Sequence, residues 1–278
     1  MKWNAYWRLM RFDKPVGILL LWFPTAWALW LANKGLPSFQ LLLLFLCGTV
    51  FMRAAGCIVN DIADRHIDKH VARTQLRPLT SGEVNLTEAF ILLILLFLAA
   101  LFVLIQLPYK CIYIGIVALF ISLLYPFCKR FLNAPQLILG LAFSMGIPMA
   151  YVASGVSLNS ECFLLFSINF AWIVVYDTMY AMTDKADDLR IGVKSTAIYF
   201  ARYDRLIIGL LQCLFHSLWF YWALLNHQNL GFYIFWSLAG LILTYQQKLI
   251  YKREPQNCFK AFIISAYYGA LMWFAVVI

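Results

Sequence analysis

The sequence predicts an all-α integral membrane protein whose helices form a bundle around a central cavity. Of its 278 residues, 63% are hydrophobic and only 13% are charged, whereas a soluble domain carries about 25% charged residues. Apolar stretches of about 17–25 residues, long enough to cross a bilayer, recur along the chain. Only helices or closed barrels satisfy their backbone in lipid, and continuous apolar runs, without the alternation of barrel strands, indicate helices.

Nine membrane helices are predicted, within a single domain that covers residues 1–278. Their expected bounds are 16–32, 38–58, 87–107, 110–127, 135–153, 161–181, 205–225, 229–249 and 259–277. Pro24 and Pro148 should kink or break the first and fifth helices, because proline lacks a backbone N–H. Two connections, 59–86 and 182–204, are long and rich in charge. We expect the helices to act as a scaffold that holds these two segments together.

The net charge of +9 is concentrated on one side of the predicted helices. All but three of the 22 Lys and Arg residues precede the first helix or follow an even-numbered one; the exceptions are Lys34, Arg53 and Lys110. This distribution obeys the positive-inside rule, so the N-terminus and both charged connections are expected in the cytoplasm. It indicates contact with a lipid bilayer and argues against a nucleic acid partner.

Two acidic segments begin where a predicted membrane helix meets a charged connection. The first, NDIADRHID at 60–68, contains Asn60, Asp61, Asp64 and Asp68; the second, at 177–188, contains Asp177, Asp184 and Asp188. On a helix, at about 100° per residue, Asn60, Asp64 and Asp68 would lie within about 80° on one face, and the three acids of the second segment within about 40°. The order Asp-basic-x-x-Asp occurs in both segments, 120 residues apart. This similarity suggests two pseudo-equivalent halves that face one cavity.

Acidic residues at a membrane border are rare and usually mark function. An aspartate at a helix end can simply pair with a nearby base and stay solvated, but two such columns on one side favour a shared site. Converging carboxylates repel one another, and a divalent cation removes that repulsion. Oxygen ligands of this kind suit Mg²⁺ held together with substrate phosphates. The two segments therefore predict a Mg²⁺-dependent site for a diphosphate.

Basic residues near both acidic segments are expected to bind phosphate oxygens. The candidates are Arg65, Arg73 and Arg77 after the first segment, Lys194 after the second, and Tyr125, Lys129 and Arg130 in the stretch YPFCKR between them. Contact with lipid headgroups alone is a weaker explanation for Arg73, Arg77 and Lys129. A diphosphate with a polyprenyl tail would account for the membrane helices, since the tail dissolves in lipid.

Other chemistries explain the sequence less well. His66 and His70 are four residues apart and could bind zinc beside Asp64, but no second histidine cluster accompanies them. A transporter that carries a cation or proton on its buried acids would leave the clustered bases unexplained. A third alternative is an accessory membrane protein without catalysis, which Mg²⁺-independent behaviour of variants at both acidic segments would favour.

The ordered motifs NDxxDxxxD at 60–68, YxxxK at 125–129 and DxxxD at 184–188 resemble the UbiA superfamily of intramembrane aromatic prenyltransferases. Further stretches, including LMRFDKPVGILLLWFPTAWALW, RPLTSGEV and YDTMYAMTDKADDLRIGVKSTAI, extend the resemblance over essentially the whole chain. They are most similar to the bacterial members that prenylate 4-hydroxybenzoate.

The resemblance implies a nine-helix protein of the bacterial inner membrane that uses Mg²⁺ to transfer a polyprenyl chain from polyprenyl diphosphate to 4-hydroxybenzoate, in ubiquinone synthesis. It implies that the metal and diphosphate are held by Asn60, Asp61, Asp64, Asp68, Asp184 and Asp188. The catalytic residues among them would be Asp64, Asp68, Asp184 and Asp188. It further implies diphosphate contacts from Arg73, Arg77, Tyr125 and Lys129. Arg130 would pair with the acceptor's carboxylate, and Asp177 or the released diphosphate would accept protons. The alternative is a related prenyltransferase that uses another aromatic acceptor, such as dihydroxynaphthoate or homogentisate.

Overall fold

The computed structural model describes residues 2–278, in which every regular element is a helix and there is no strand. The α-helices are α1 (Trp3–Leu9), α2 (Val16–Asn33), α3 (Phe39–Asp64), α4 (Leu86–Leu104), α5 (Lys110–Cys128), α6 (Gln136–Ser144), α7 (Gly146–Ala153), α8 (Ser160–Ile191), α9 (Thr196–Tyr199), α10 (Asp204–Leu225), α11 (Leu230–Leu249) and α12 (Pro255–Val277). Short 3₁₀ turns lie at Asp68–His70, Ala201–Tyr203 and Ile250–Lys252.

The helices confirm the predicted membrane bundle. In the described part of the chain, eight segments are long and apolar enough to cross a membrane, with α6 and α7 counted as one. The predicted span at 229–249 is helical, as α11, but it is not among those eight. Its last turns carry Gln246, Gln247 and Lys248, which are polar and lower its apolar character. The protein is therefore a multi-pass membrane protein.

Two helices extend beyond their predicted ends, and both carry an acidic segment. α3 ends at Asp64 and not at residue 58, and α8 ends at Ile191 and not at residue 181. Hydropathy indicates where a helix leaves the lipid, whereas backbone conformation decides where it stops. Gly192, with a left-handed φ of 74°, ends α8 because glycine adopts that conformation without strain. The predicted connection 182–204 is thus largely helical.

The predicted fifth span is broken into two helices. α6 ends at Ser144 and α7 begins at Gly146, and Pro148 lies four residues after Ser144. A proline ring clashes with the carbonyl group four residues earlier, so the break occurs where Pro148 places it. Pro24, in contrast, lies inside a continuous α2, so it does not break that helix.

An aromatic core joins the helices that hold α8 in place. The ring of Trp27 in α2 lies 5.3 Å from that of Trp172 in α8 and 5.4 Å from that of Trp219 in α10. The Trp27 Nε1 donates a hydrogen bond to the carbonyl oxygen of Gly269 in α12, at 3.0 Å. Lipid is as apolar as the side chains, so close packing and such interhelical hydrogen bonds, not hydrophobic burial, hold these helices together.

The first helix, α1, is not predicted from the sequence and lies against the ends of α3 and α4. Its buried residues Ala5 and Leu9 pack in a small cluster with Ala55 of α3. The Lys2 Nζ forms an ion pair with Glu88 of α4 at 2.5 Å. These contacts attach the N-terminal segment to the bundle.

Gly269→Ala should destabilise the fold. An added Cβ would lie 2.9 Å from Cδ2 of Phe23 and 3.0 Å from Cη2 of Trp172, so two buried rings must shift at a cost of about 1–3 kcal/mol. The thermal unfolding midpoint of the purified protein in detergent should fall by several degrees. Gly56→Ala is the matched control, because a Cβ there meets nothing within 4 Å. An equal loss in both variants would contradict this account of the packing.

Candidate active site at the charged end of the cavity

The bundle encloses a cavity of about 1630 Å³ that is lined by residues of α2, α3, α5, α6, α8 and α12. Apolar side chains line most of its depth, and charged side chains line one end, which we call the charged end. The acidic residues that line the cavity are Asp13, Asp61, Asp64, Asp68, Asp177, Asp184 and Asp188, together with Asn60. The structure thus brings both acidic segments to one cavity.

Asn60 and Asp64 lie one turn apart on α3 and share a basic partner, Lys129, which follows α5. The Lys129 Nζ donates to Asn60 Oδ1 at 3.1 Å and to Asp64 Oδ2 at 2.9 Å. Asp64 is only 4% exposed, and its Oδ1 has no hydrogen-bond partner among residues 2–278. Burial opposes the charge of Lys129, but the adjacent Asp64 raises the pKa of the ammonium above its usual value.

Asp61 and Asp68 form a second cluster with Arg11 and Arg77. The Arg77 Nη1 donates to Asp61 Oδ1 at 3.0 Å and to Asp68 Oδ2 at 2.7 Å, and the Arg11 Nη2 donates to both Asp61 oxygens at 2.8 Å. Burial raises the pKa of Asp68, while Arg77 lowers it. Asp68 lies on a 3₁₀ turn beyond the end of α3. The sequence predicted that Asn60, Asp64 and Asp68 form one helical column. Asp68 lies outside that column because α3 ends before it.

The acids of the second segment lie on the continuous helix α8. Asp184 accepts from Arg73 Nε at 3.0 Å, and the Arg73 guanidinium lies 4.5 Å from the centre of the Tyr180 ring. Burial opposes the charge of Arg73, but Tyr180 and Asp184 raise the pKa of its guanidinium overall. Asp188 lines the cavity one turn beyond Asp184, and the buried Asp177 lines it two turns before.

Of the predicted phosphate-binding residues, Lys194 and Tyr125 line the cavity, whereas Arg65 and Arg130 do not belong to its lining. The Lys194 Nζ donates to the carbonyl oxygen of Phe131 at 3.0 Å. The Arg65 Nε donates to His66 Nε2 at 3.0 Å. Arg130 is exposed and donates to the carbonyl oxygen of Ala63 at 2.8 Å. The geometry therefore gives no support to Arg65 and Arg130 as groups that contact a ligand in the cavity.

Arg53 lines the cavity from the interior of α3 and is not among the sequence-predicted site residues. Its Nε is buried and donates to no acceptor within residues 2–278. A Cβ added to Gly17 of α2 would lie 2.4 Å from that Nε, so the glycine leaves room for the guanidinium. Its sequence signal is a lone arginine inside an apolar helix, because such a residue is costly unless it faces a cavity.

The donor set at the charged end suits a hard divalent cation. Within the described residues, no group of three or more His, Cys, Asp or Glu side chains lies together as a metal site, so the zinc alternative gains no support. Asn60 Oδ1 and Asp64 Oδ2, however, already converge on one cation, the Lys129 ammonium. The remaining Asp64 oxygen is buried without a partner in residues 2–278. Oxygen ligands that converge in this way are typical of Mg²⁺ sites that also use phosphate oxygens.

The fold and the site define a multi-pass membrane protein whose deep, mostly apolar cavity ends in a cluster of acidic and basic side chains. Residues 21–275 match the model of the UbiA prenyltransferase family. The chain belongs to that family, as its ordered motifs indicated.

Curated relatives match almost the whole chain. The 4-hydroxybenzoate octaprenyltransferase of Legionella pneumophila (strain Lens) is 68% identical over 274 residues, which cover 99% of this chain and 97% of the relative. The protein of the same name from Edwardsiella ictaluri (strain 93-146) is 50% identical over 277 residues, which cover 100% of this chain and 96% of the relative.

Solved structures share the fold. The apo structure of a UbiA homolog from Aeropyrum pernix K1 has a TM-score of 0.80 at 22% identity, over 91% of this chain and 95% of that one. The structure of a UbiA homolog from Archaeoglobus fulgidus bound to GPP and Mg²⁺ has a TM-score of 0.74 at 21% identity, over 98% and 99%.

Lys129→Met should destabilise the protein by about 3–5 kcal/mol, because it leaves the buried Asp64 carboxylate without its cation. Adding Asp64→Asn to this variant should recover most of the loss, since the amide carries no charge. Thermal unfolding in detergent measures both effects. Lys194→Met is the control, because its ammonium contacts a backbone carbonyl. Equal losses for the two lysine variants, with no recovery, would show that Lys129 and Asp64 are not coupled.

Proposed function

We propose that the chain catalyses the Mg²⁺-dependent transfer of a polyprenyl chain from polyprenyl diphosphate to 4-hydroxybenzoate. The products would be 3-polyprenyl-4-hydroxybenzoate and diphosphate. One observation carries the proposal: both acidic segments, each with its own basic partners, line the charged end of one deep apolar cavity. The relatives named 4-hydroxybenzoate octaprenyltransferase support this acceptor over dihydroxynaphthoate or homogentisate.

The diphosphate would be held at the charged end. The residues that would bind Mg²⁺ with the diphosphate oxygens are those that the family resemblance implies, and all of them line the cavity: Asn60, Asp61, Asp64, Asp68, Asp184 and Asp188. When bound, the metal neutralises charge that develops on the departing diphosphate. Lys129 and Arg73 each contact one of these carboxylates, and their N–H donors would also bind phosphate oxygens. In this way the same basic residues serve both the resting site and the substrate.

The acceptor would lie deeper in the cavity than the diphosphate. Arg53 precedes Asn60 by seven residues and Asp177 precedes Asp184 by the same number, which is about 10 Å along each helix. Both side chains line the cavity. A guanidinium that lacks a protein anion is a suitable partner for the carboxylate of 4-hydroxybenzoate. We therefore assign this contact to Arg53 and not to Arg130.

In the proposed reaction the allylic C1–O bond breaks, and its electron pair leaves with the diphosphate. The ring carbon ortho to the phenol hydroxyl forms the new bond to C1 and then loses its proton, to Asp177 or to the diphosphate. Lys129 and Arg73 stabilise the leaving anion, because fixed charges aimed at developing charge lower the barrier. The apolar walls exclude water, which would otherwise capture the carbocation.

The charged end would face the cytoplasm of a bacterium, across its inner membrane. The distribution of Lys and Arg over the connections supports this orientation through the positive-inside rule. The acidic segments 60–68 and 177–188 would then be pseudo-equivalent parts of a single domain that covers residues 1–278, each supplying one side of the diphosphate site.

Asp64→Ala and Asp184→Ala should each lower prenyl transfer by at least about 100-fold, because each removes a carboxylate that would hold the Mg²⁺ needed to stabilise the departing diphosphate. Incorporation of labelled 4-hydroxybenzoate into lipid by membranes, with polyprenyl diphosphate and with or without EDTA, measures this. Asp187→Ala is the matched control on the same helix, since Asp187 contacts the backbone N–H of Ala72 and does not line the cavity. Near-normal turnover of either active-site variant, or activity in EDTA, would defeat the proposal.

Arg53→Gln should raise KM for 4-hydroxybenzoate by about 10- to 100-fold, the range for a lost hydrogen bond to a charged group. The methyl ester of the acceptor carries no charge, so its KM should change little in the same variant. Arg130→Gln is the control and should leave both KM values unaltered. If Arg130→Gln raises KM for 4-hydroxybenzoate but not for its methyl ester, and Arg53→Gln leaves both KM values unchanged, the contact belongs to Arg130.

A further inference from the structure

Asp61 differs from its neighbours in the first acidic segment because both of its oxygens are already engaged by arginines. Oδ1 accepts from Arg11 Nη2 at 2.8 Å and from Arg77 Nη1 at 3.0 Å, and Oδ2 accepts from Arg11 Nη2 at 2.8 Å. The side chain is 1% exposed. Asp64, in contrast, has one buried oxygen with no partner among residues 2–278.

The position of Asp61 on α3 also separates it from the Asn60 and Asp64 pair. On the helix those two residues lie within about 40° of each other, and Asp61 projects about 80° away from their mean direction. The side chains of Asn60 and Asp64 meet at Lys129, whereas that of Asp61 points to Arg11 and Arg77. The motif therefore divides into two groups with different partners.

Arg11 connects Asp61 to the N-terminal segment. It follows α1 and has a φ of 62°, a left-handed conformation that is uncommon for a residue with a side chain. Its Nη1 donates to the carbonyl oxygen of Arg8 at 2.8 Å while its Nη2 binds Asp61. Arg11 and Arg77 both line the cavity. Within the described chain, Arg11 Nε donates to no protein acceptor, and a guanidinium offers five N–H donors in all.

We propose that Asp61 is a positioning residue and not a metal ligand. Its carboxylate fixes the guanidinium of Arg11 at the charged end and so makes the N-terminal segment part of the diphosphate site, with Arg11 as a further diphosphate-binding residue. This inference rests on the proposed function and refines it. It removes one carboxylate from the metal ligands that the family resemblance implies and adds one base from outside the membrane helices.

Binding of inorganic pyrophosphate to the purified protein in detergent tests this proposal by calorimetry. At saturating Mg²⁺, Asp61→Asn and Arg11→Gln should each weaken pyrophosphate binding by about 10-fold, as expected for a lost charged hydrogen bond. The double variant should bind pyrophosphate no more than about 10-fold more weakly than the unmodified protein, because the effects of residues that act as one unit are not additive. The Mg²⁺ concentration for half-maximal pyrophosphate binding should stay within about 2-fold of that of the unmodified protein.

Two reference variants give the test its direction. Asp64→Asn should raise the half-maximal Mg²⁺ concentration by more than about 10-fold, the size of a lost metal contact. Lys2→Gln, which removes the α1 ion pair with Glu88 without touching Asp61, should bind pyrophosphate normally. If Asp61→Asn raises the Mg²⁺ requirement as Asp64→Asn does, or if Arg11→Gln binds pyrophosphate normally, the inference is wrong. Arg11→Gln decides the question alone should Asp61→Asn not fold.

The outcomes also separate this inference from the proposed function. Should the unmodified protein not bind pyrophosphate with Mg²⁺ at all, the proposed function fails. Suppose that the unmodified protein binds pyrophosphate, Asp64→Asn raises the half-maximal Mg²⁺ concentration and Arg11→Gln binds pyrophosphate normally. The proposed function then stands, and only the role of Asp61 and Arg11 is refuted.

Discussion

The ion pair between Asp64 and Lys129 is the contact on which the charged end of the cavity depends. Asp64 is buried at the end of a membrane helix, where an unpaired carboxylate costs several kcal/mol. The 2.9 Å contact with Lys129 offsets that cost and attaches the end of α5 to the end of α3. Arg73 and Asp184 repeat the arrangement between the first charged connection and α8. Four of the acids at the charged end, Asp61, Asp64, Asp68 and Asp184, can therefore lie close together because each is paired with a base.

The sequence predicts the membrane helices and the two acidic segments well, for a physical reason. Hydropathy and helical spacing are local properties, so the apolar runs and the column of Asp184 and Asp188 can be obtained without tertiary information. The partner of each acid cannot be predicted in this way, because partners lie far apart in the chain; Lys129 and Asp64, for example, are 65 residues apart. Helix ends were also missed: α8 continues past its apolar part through backbone hydrogen bonds until Gly192 ends it.

The two acidic segments are equivalent in sequence order but not in their contacts. On α8 the acids share one continuous helix, whereas α3 ends at Asp64 and leaves Asp68 on a separate turn. The connection that follows α3 then supplies Arg73, whose partner is Asp184 of the other segment. The second segment therefore depends on the connection after α3 for the partner of Asp184. The acids of the first segment pair with Arg11, Arg77 and Lys129 and need no residue of the second segment.

The balance of charges explains why the headgroup and the acceptor would occupy different depths. Four acids of the charged end are ion-paired with four bases: Asp61, Asp64, Asp68 and Asp184 with Arg11, Arg73, Arg77 and Lys129. A diphosphate that arrives with divalent cations adds little net charge, so it can enter this layer without leaving a buried ion uncompensated. About two turns deeper, Arg53 has no such partner, and a guanidinium in an apolar cavity favours an anion. In the proposed complex, the carboxylate of 4-hydroxybenzoate would satisfy that site and leave the ring within the apolar walls.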